Sequence, residues 1–379
     1  LKSSVLLFAI MLSQDQANSQ ELQQKFDAKE LNTVFAKPIT TKPVFHIAKG
    51  LNNDGTLLKN YRRGLNYAID YFGNYGPYCI YLLGDDDEQT IRDIYYERAK
   101  SRVDHTSDIP ASEQISRFLK RPNVIAEMKA VLAGKSEGGL TWSRPPRRVY
   151  EDVTTNAKGR ELDAVENTWG ALHEYHHVFQ IAHCDSYAER DSDNNLNSWM
   201  SEGMATYSSA VFMERLGLIN LEAYMLDLRK TGGNIGRPGI NKFAESKKSW
   251  RLDNENYWES GRAAQVYYML GAWGTAYLIH EREIPERTVL KRWYFDVPKM
   301  GKSASFNKHM GLTLEDFYNE FRKFISQPDS QVMKIFSKKA KTTNRAKNRC
   351  VIFYNVTFSI GQHTYSPPRA QIHDAVVLW

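Results

Sequence analysis

The sequence predicts an α+β fold: an N-terminal mixed layer with a small β-sheet, followed by a mainly helical half. Two patterns carry that reading. Short runs of strand character, Pro77 to Leu83, Gly138 to Thr141 and Arg148 to Thr154, fall within the first 155 residues. From Glu161 to Ile325 the pattern is mainly helical, interrupted by two polar loops, Asp185 to Ser198 and Thr231 to Lys242. With 379 residues, 42% of them hydrophobic, the chain can bury a substantial core.

In chain order, Lys2 precedes an apolar run from Val5 to Leu12, and Ala17-Asn18-Ser19 offers a small-residue cleavage site. Residues 1–19 therefore read as a signal peptide, which places the protein outside the cytoplasm, secreted or periplasmic. The run is too short for a stable bilayer anchor, and no later stretch reaches transmembrane length. Residues 20–36 read as a polar helix or leader. Asn60 to Phe72 carries apolar residues at helical spacing. The strand at Pro77 to Leu83 is stopped by the acidic turn Gly84 to Asp87, residues 88–134 read as mostly helical, and Pro145-Pro146 turns the chain between the next two strands. The chain divides into the leader (1–19), an N-terminal α+β part (20–155), a helical part (156–330) and a basic linker and tail (331–379). The alternation from Val351 predicts an edge strand, and Asn355-Val356-Thr357 is a glycosylation sequon.

A net charge of +6 over this length is mild, and no basic helix interleaved with aromatics is present, so nucleic acid is not an expected partner. The densest basic run, Lys334 to Arg349, reads as a solvated helix end and linker. Three cysteines, Cys79, Cys184 and Cys350, allow one bridge at most and leave the pair open.

The chemistry is concentrated in Glu166 to Gln180. His173-Glu174-Tyr175-His176-His177 is an H-E-x-x-H pattern. Residues four apart share a helix face, so His173 and His177 can bind one metal ion, and Glu174 between them can serve as general base. His176 offers a competing frame, but the four-residue frame also supplies the carboxylate, which leaves His176 as a supporting or surface residue. A catalytic zinc needs a third protein ligand. His183 lies six residues beyond His177, the metzincin spacing, but Gln180 stands where that pattern needs a turn-making Gly. Glu202 lies 25 residues beyond His177, after an acidic, Asn-rich loop able to reverse the chain.

HEYHHVFQ together with Trp199-Met200-Ser201-Glu202-Gly203-Met204-Ala205-Thr206 resembles the gluzincin clan of zinc peptidases, whose pattern is H-E-x-x-H followed by W-x-x-E-G-x-A. The resemblance is strong over about 40 residues and loose over about 150. It implies a zincin-like catalytic half with the zinc site between the two parts, and one catalytic Zn2+ on His173, His177 and Glu202. It also implies a donor to the oxyanion. Tyr268, in Tyr268-Met269-Leu270-Gly271, matches the form of the aminopeptidase-like members, with Tyr267 and Tyr257 as reserves. Two features depart from the pattern. Thr206 stands where thermolysin-like members carry an Asp that supports a ligating His, so the ligands here need another partner. Gly138-Gly139-Leu140-Thr141 takes the place of the edge strand but lacks the amine-binding glutamate, which weakens an aminopeptidase assignment. Gly311 to Phe317 resembles C-terminal helices of secreted gluzincin-like families and reads equally as an ordinary capped helix.

The expected activity is hydrolysis of peptide bonds in a peptide or protein substrate, with Glu174 moving the proton and Tyr268 facing the oxyanion. The alternatives are a zinc hydrolase acting on a non-peptide substrate and a catalytically inactive binding protein of the same fold.

Overall fold

The computed structural model describes residues 42–47, 55–84, 88–103, 105, 107–133, 138–142, 150–155, 164–184, 193, 195–231, 252 and 263–337. The expected leader, the polar segment at 20–36, most of both polar loops, Tyr257, Cys350, the sequon and the tail strand lie outside the described residues.

The first half is a four-stranded sheet between two helical layers. Its strands are β1 (Val44–Ile47), β2 (Tyr78–Leu83), β3 (Gly138–Trp142) and β4 (Tyr150–Thr155), in the order β1-β2-β4-β3. β1, β2 and β4 run parallel, and β3 pairs antiparallel with β4 at one edge. The three expected strands are present within two residues of their expected bounds. β1 is an addition, too short and too mixed in sequence (VFHI) to stand out.

Alternation along the strands divides the sheet faces. Ile80, Leu82, Leu140 and Tyr150 join the main core with α1 (Thr56–Phe72) and the later helix α5 (Ala164–His183). Tyr81, Leu83 and Val153 point the other way, into a smaller core with α2 (Glu88–Ser101), α3 (Ala111–Leu119) and α4 (Pro122–Leu132). On that face Glu151 is fully buried, held by Arg98 at 3.3 Å and by Arg102, while Arg98 also reaches Glu127 at 2.9 Å. The two guanidinium groups outweigh burial and hold the Glu151 carboxyl below its ordinary range.

The α1 helix forms as its spacing predicts. Leu57, Tyr61, Gly64, Leu65, Ala68 and Phe72 are its buried stripe. Gly64 permits the close crossing with α5, because a Cβ there would stand 2.6 Å from the Thr168 carbonyl oxygen.

The second half is helical. A π-helical turn (Trp199–Gly203) leads into α6 (Met204–Arg215), followed by α7 (Leu221–Thr231) and α8 (Ala263–Ala276). The chain then runs through a second π-helical turn (Tyr277–Glu281), α9 (Glu286–Leu290), a 3-10 turn (Arg292–Asp296), α10 (Val297–Met300), α11 (Lys302–Met310) and α12 (Leu314–Ile325). It closes with α13 (Asp329–Val332) and α14 (Lys334–Ser337). The Gly311 to Phe317 segment is a capped helix start: Gly311 takes a positive φ of 71°, and the Thr313 hydroxyl accepts from the Asp316 N–H at 3.1 Å. Through it α12 delivers Phe317 to stack on Trp199 (5.0 Å) and Tyr318 to accept from the Trp199 indole N–H (3.2 Å). No helix among the described residues is long and apolar enough to cross a membrane. Cys79 is a half-buried free thiol, and Cys184 is buried.

The tightest contact in the helical half is glycine on glycine. A Cβ on Gly203 would fall 2.2 Å from the Gly271 Cα, and one on Gly271 would fall 2.5 Å from the Trp199 carbonyl oxygen. Backbone cannot yield as a flexible side chain can, so both positions need a bare Cα. Gly271→Ala should therefore separate α8 from the π-turn and destabilise the protein by roughly 1–3 kcal/mol. Urea unfolding measures this, and an unchanged midpoint would show that the crossing is not as close as described.

Candidate metal centre

The α5 helix carries His173 and His177 one turn apart on one face, both buried. The π-turn after the loop brings Glu202, 3% exposed, to the same point. The three side chains meet as a near-equilateral triangle. His173 Nε2 is 3.1 Å from His177 Nε2, and Glu202 Oε2 is 3.2 Å from the first and 3.3 Å from the second. Hydrogen bonding accounts for at most two sides of this triangle, since the two imidazole nitrogens carry at most one proton each and the carboxylate none. A tetrahedral ion with bonds of about 2.0–2.1 Å to nitrogen and oxygen has ligand atoms roughly 3.3–3.4 Å apart. The cluster could therefore hold a metal ion. Glu202 Oε1, the other carboxylate oxygen, is also buried with no hydrogen-bond partner among the described residues, so direct protein donors do not satisfy this carboxylate fully.

The electrostatics agree. Burial works against charge on Glu202, but His177 and the hydrogen bonds from both imidazoles hold its carboxyl far below the usual range. Burial likewise opposes a proton on His177, and the Glu202 carboxylate, its hydrogen bond and the Glu174 charge outweigh it, raising His177 to about 9.

Glu174 is half-buried beside the triangle. Burial and the charge of Glu202 push its carboxyl up, offset in part by His173, His177 and a hydrogen bond from the Leu140 N–H. Leu140 belongs to the edge strand β3, so Glu174 is tied to the sheet. Leu140 is in register with Asp152 of β4, which is fully buried. Asp152 accepts from the Tyr61 hydroxyl, from Tyr78 at 3.5 Å and from Thr154 at 3.0 Å. Burial, then the nearby Glu174, raise its carboxyl well above the ordinary range, against the Thr154 hydrogen bond, which lowers it.

Tyr268 reaches the cluster from α8. Its ring stacks on His173 at 5.6 Å and 15°, and its hydroxyl hydrogen-bonds Glu202. Tyr267, one of the two reserves, packs in the core instead. Trp169, one turn before His173, also stacks on that imidazole at 4.5 Å.

The other histidines are placed away from the triangle. α5 continues unbroken through Gln180 to His183, whose Nε2 meets the Tyr75 hydroxyl at 3.0 Å rather than the ligands. His176 is not a surface residue: it is fully buried, with Nδ1 2.6 Å from the Ser208 hydroxyl. The support that Thr206 lacks comes to His177 from Gln180, whose Oε1 is 2.8 Å from His177 Nδ1. Sequence reasoning used Gln180 only as the absence of a glycine, and it missed Trp169 and Asp152. The i,i+3 spacing of Gln180 from His177 and the i,i+4 spacing of Trp169 from His173 were available signals, whereas Asp152 needed the strand register.

The chain matches no family model, no curated protein and no solved structure.

His183 yields a prediction about acid stability. Burial, with Lys291 adding to it, lowers this imidazole to about 4. The unfolded chain binds its proton below about 6.5, the folded protein only near 4, so stability is full above 6.5 and falls as pH drops through that window. The loss attributable to this one group is on the order of 2–3 kcal/mol. Urea unfolding at neutral pH and near pH 4.5 should show a smaller acid loss in His183→Gln than in the unaltered protein. Equal losses would mean that His183 is not buried in its neutral form.

Proposed function

We propose that this chain is a zinc-dependent hydrolase that cleaves peptide bonds, exported from the cytoplasm by the leader at residues 1–19. The observation that carries the reading is the buried His173–His177–Glu202 triangle with a second, non-ligating carboxylate, Glu174, directly beside it. Two imidazoles and a carboxylate suit zinc as a donor set, and three protein ligands leave a fourth position open, the arrangement of catalytic rather than structural sites. When bound, zinc acidifies water and polarises a carbonyl.

The chain's own residues supply the rest. His173, His177 and Glu202 hold the ion. Glu174, whose affinity for a proton is raised by burial, accepts one from the attacking water and passes it to the leaving amine. The Leu140 N–H keeps that carboxylate oriented while it does so. Tyr268, whose hydroxyl bonds Glu202 beside His173, is placed to turn that donor to a developing oxyanion. The edge strand β3 offers an extended substrate a backbone to pair with, since its outer side is not paired to another strand among the described residues. The resemblance of HEYHHVFQ and WMSEGMAT to gluzincins supports the same assignment, and the four strands between helical layers are compatible with a zincin-like fold. The presence of a base beside a complete ligand set favours a hydrolase over an inactive binding protein.

Glu174→Gln tests the mechanism. The variant should bind zinc one to one and lose peptide hydrolysis by about 10²–10⁴-fold. Cleavage of a mixed peptide library at the unaltered rate by zinc-loaded variant would exclude Glu174 as the base.

A further inference from the structure

Gln180 is 2% exposed and sits three residues beyond His177 on α5. Its amide oxygen can only accept, so His177 Nδ1, 2.8 Å away, carries the proton in their hydrogen bond. In the neutral imidazole that a metal requires, this leaves Nε2, the atom that meets Glu202 and His173, as the one to carry the lone pair. The amide nitrogen donates to the Met200 carbonyl (3.2 Å) and the Ser201 carbonyl (3.0 Å), and lies 3.1 Å from the Tyr294 hydroxyl. Carbonyl oxygens only accept, which fixes the amide in one orientation. Reversing it would set N–H against N–H on one side and oxygen against oxygen on the other.

Met200 and Ser201 are the two residues before Glu202. One side chain therefore connects a ligating imidazole on α5 to the π-turn that carries the carboxylate ligand. The connection matters because 24 residues of chain separate His177 from Glu202. Widened π-turns break the regular carbonyl pattern of a helix and recur at functional sites. Here two carbonyls of the widened turn are taken by Gln180. His173 is secured differently. Its Nδ1 has no hydrogen-bond partner among the described residues, and its ring is held by the Trp169 and Tyr268 stacks.

We propose that Gln180 is the positioning residue of the metal centre: it sets the protonation pattern of His177 and holds Glu202 at ligating distance through the Met200 and Ser201 carbonyls. This rests on the metal site proposed above. Partners of ligating histidines typically change metal affinity by about 10–100-fold when removed. Gln180 does this from the ligand helix itself, in a chain with Thr206 at the position from which a carboxylate would otherwise serve.

The test combines zinc affinity with a signature of the imidazole. Zinc titration against a chromophoric chelator should give one site per chain in the unaltered protein and about 10–100-fold weaker binding in Gln180→Leu. Gln180→Glu, which keeps an acceptor for His177 but loses the donors to Met200 and Ser201, should bind zinc more weakly than the unaltered protein and more tightly than Gln180→Leu. In zinc-loaded protein carrying 15N-labelled histidine, His177 should show an Nδ1–H signal protected from exchange by the Gln180 acceptor, retained in the Glu variant and exchanging faster in the Leu variant. A purely structural role would lower the unfolding midpoint of Gln180→Leu while its folded fraction bound zinc as tightly as before, and that result overturns the proposal. So does an unprotonated Nδ1 in the unaltered protein. If Gln180→Leu does not fold, the Nδ1–H signal in the unaltered protein and in Gln180→Glu decides the question. Failure of the unaltered protein to bind zinc would refute the metal centre instead.

Discussion

His173, His177 and Glu202 bring three electron-rich atoms within 3.1–3.3 Å of one another in the protein interior. Such a group is costly to assemble, because burial removes the water that would otherwise separate like partial charges. Much of the helical half serves to hold it together. The helix repeat of α5 aligns the two imidazoles. Trp199, clasped by Phe317 and Tyr318 of α12, fixes the start of the π-turn. Gly203 and Gly271 let α8 approach until Tyr268 lies against His173. The glycine after Glu202 is thus required by a helix crossing, with the ligand's own geometry a consequence of it.

The sheet contributes the other side of the site. Glu174 stands on the same helix as the imidazoles but is tied to β3 through the Leu140 N–H, so its carboxylate is shared between the helical layer and the sheet edge. Behind that edge, Asp152 is buried and accepts from Tyr61, Tyr78 and Thr154, and burial with the nearby Glu174 pushes its carboxyl upward. The Glu151 group on the opposite face is managed in the contrary way, with Arg98 and Arg102 keeping it ionised.

What the sequence made legible follows from the range of the interactions involved. The α1 stripe, the α5 ligand pair and the capped start of α12 depend on residues within one or two turns, so spacing alone located them. The strands at 78–83, 138–142 and 150–155 were legible from apolar runs between turn residues. Their order and the parallel pairing of β1, β2 and β4 were not, because register is a property of distant segments. Glu202 was reachable through its motif, yet nothing local states that it lies on a π-turn. Gln180 illustrates the limit: the sequence marks it as the missing glycine of another pattern, while its hydrogen bonds to the Met200 and Ser201 carbonyls depend on where those residues arrive. His176 was misjudged as a possible surface residue because a histidine beside the ligand pair carries no label of its burial.

The most direct test is the metal environment of the purified, unaltered protein. Elemental analysis combined with zinc-edge X-ray absorption should give one zinc per chain, bound by nitrogen and oxygen at about 2.0–2.1 Å with the scattering of two imidazoles. No stoichiometric metal, sulfur in the coordination sphere, or a third imidazole in place of the carboxylate would contradict the site described for His173, His177 and Glu202.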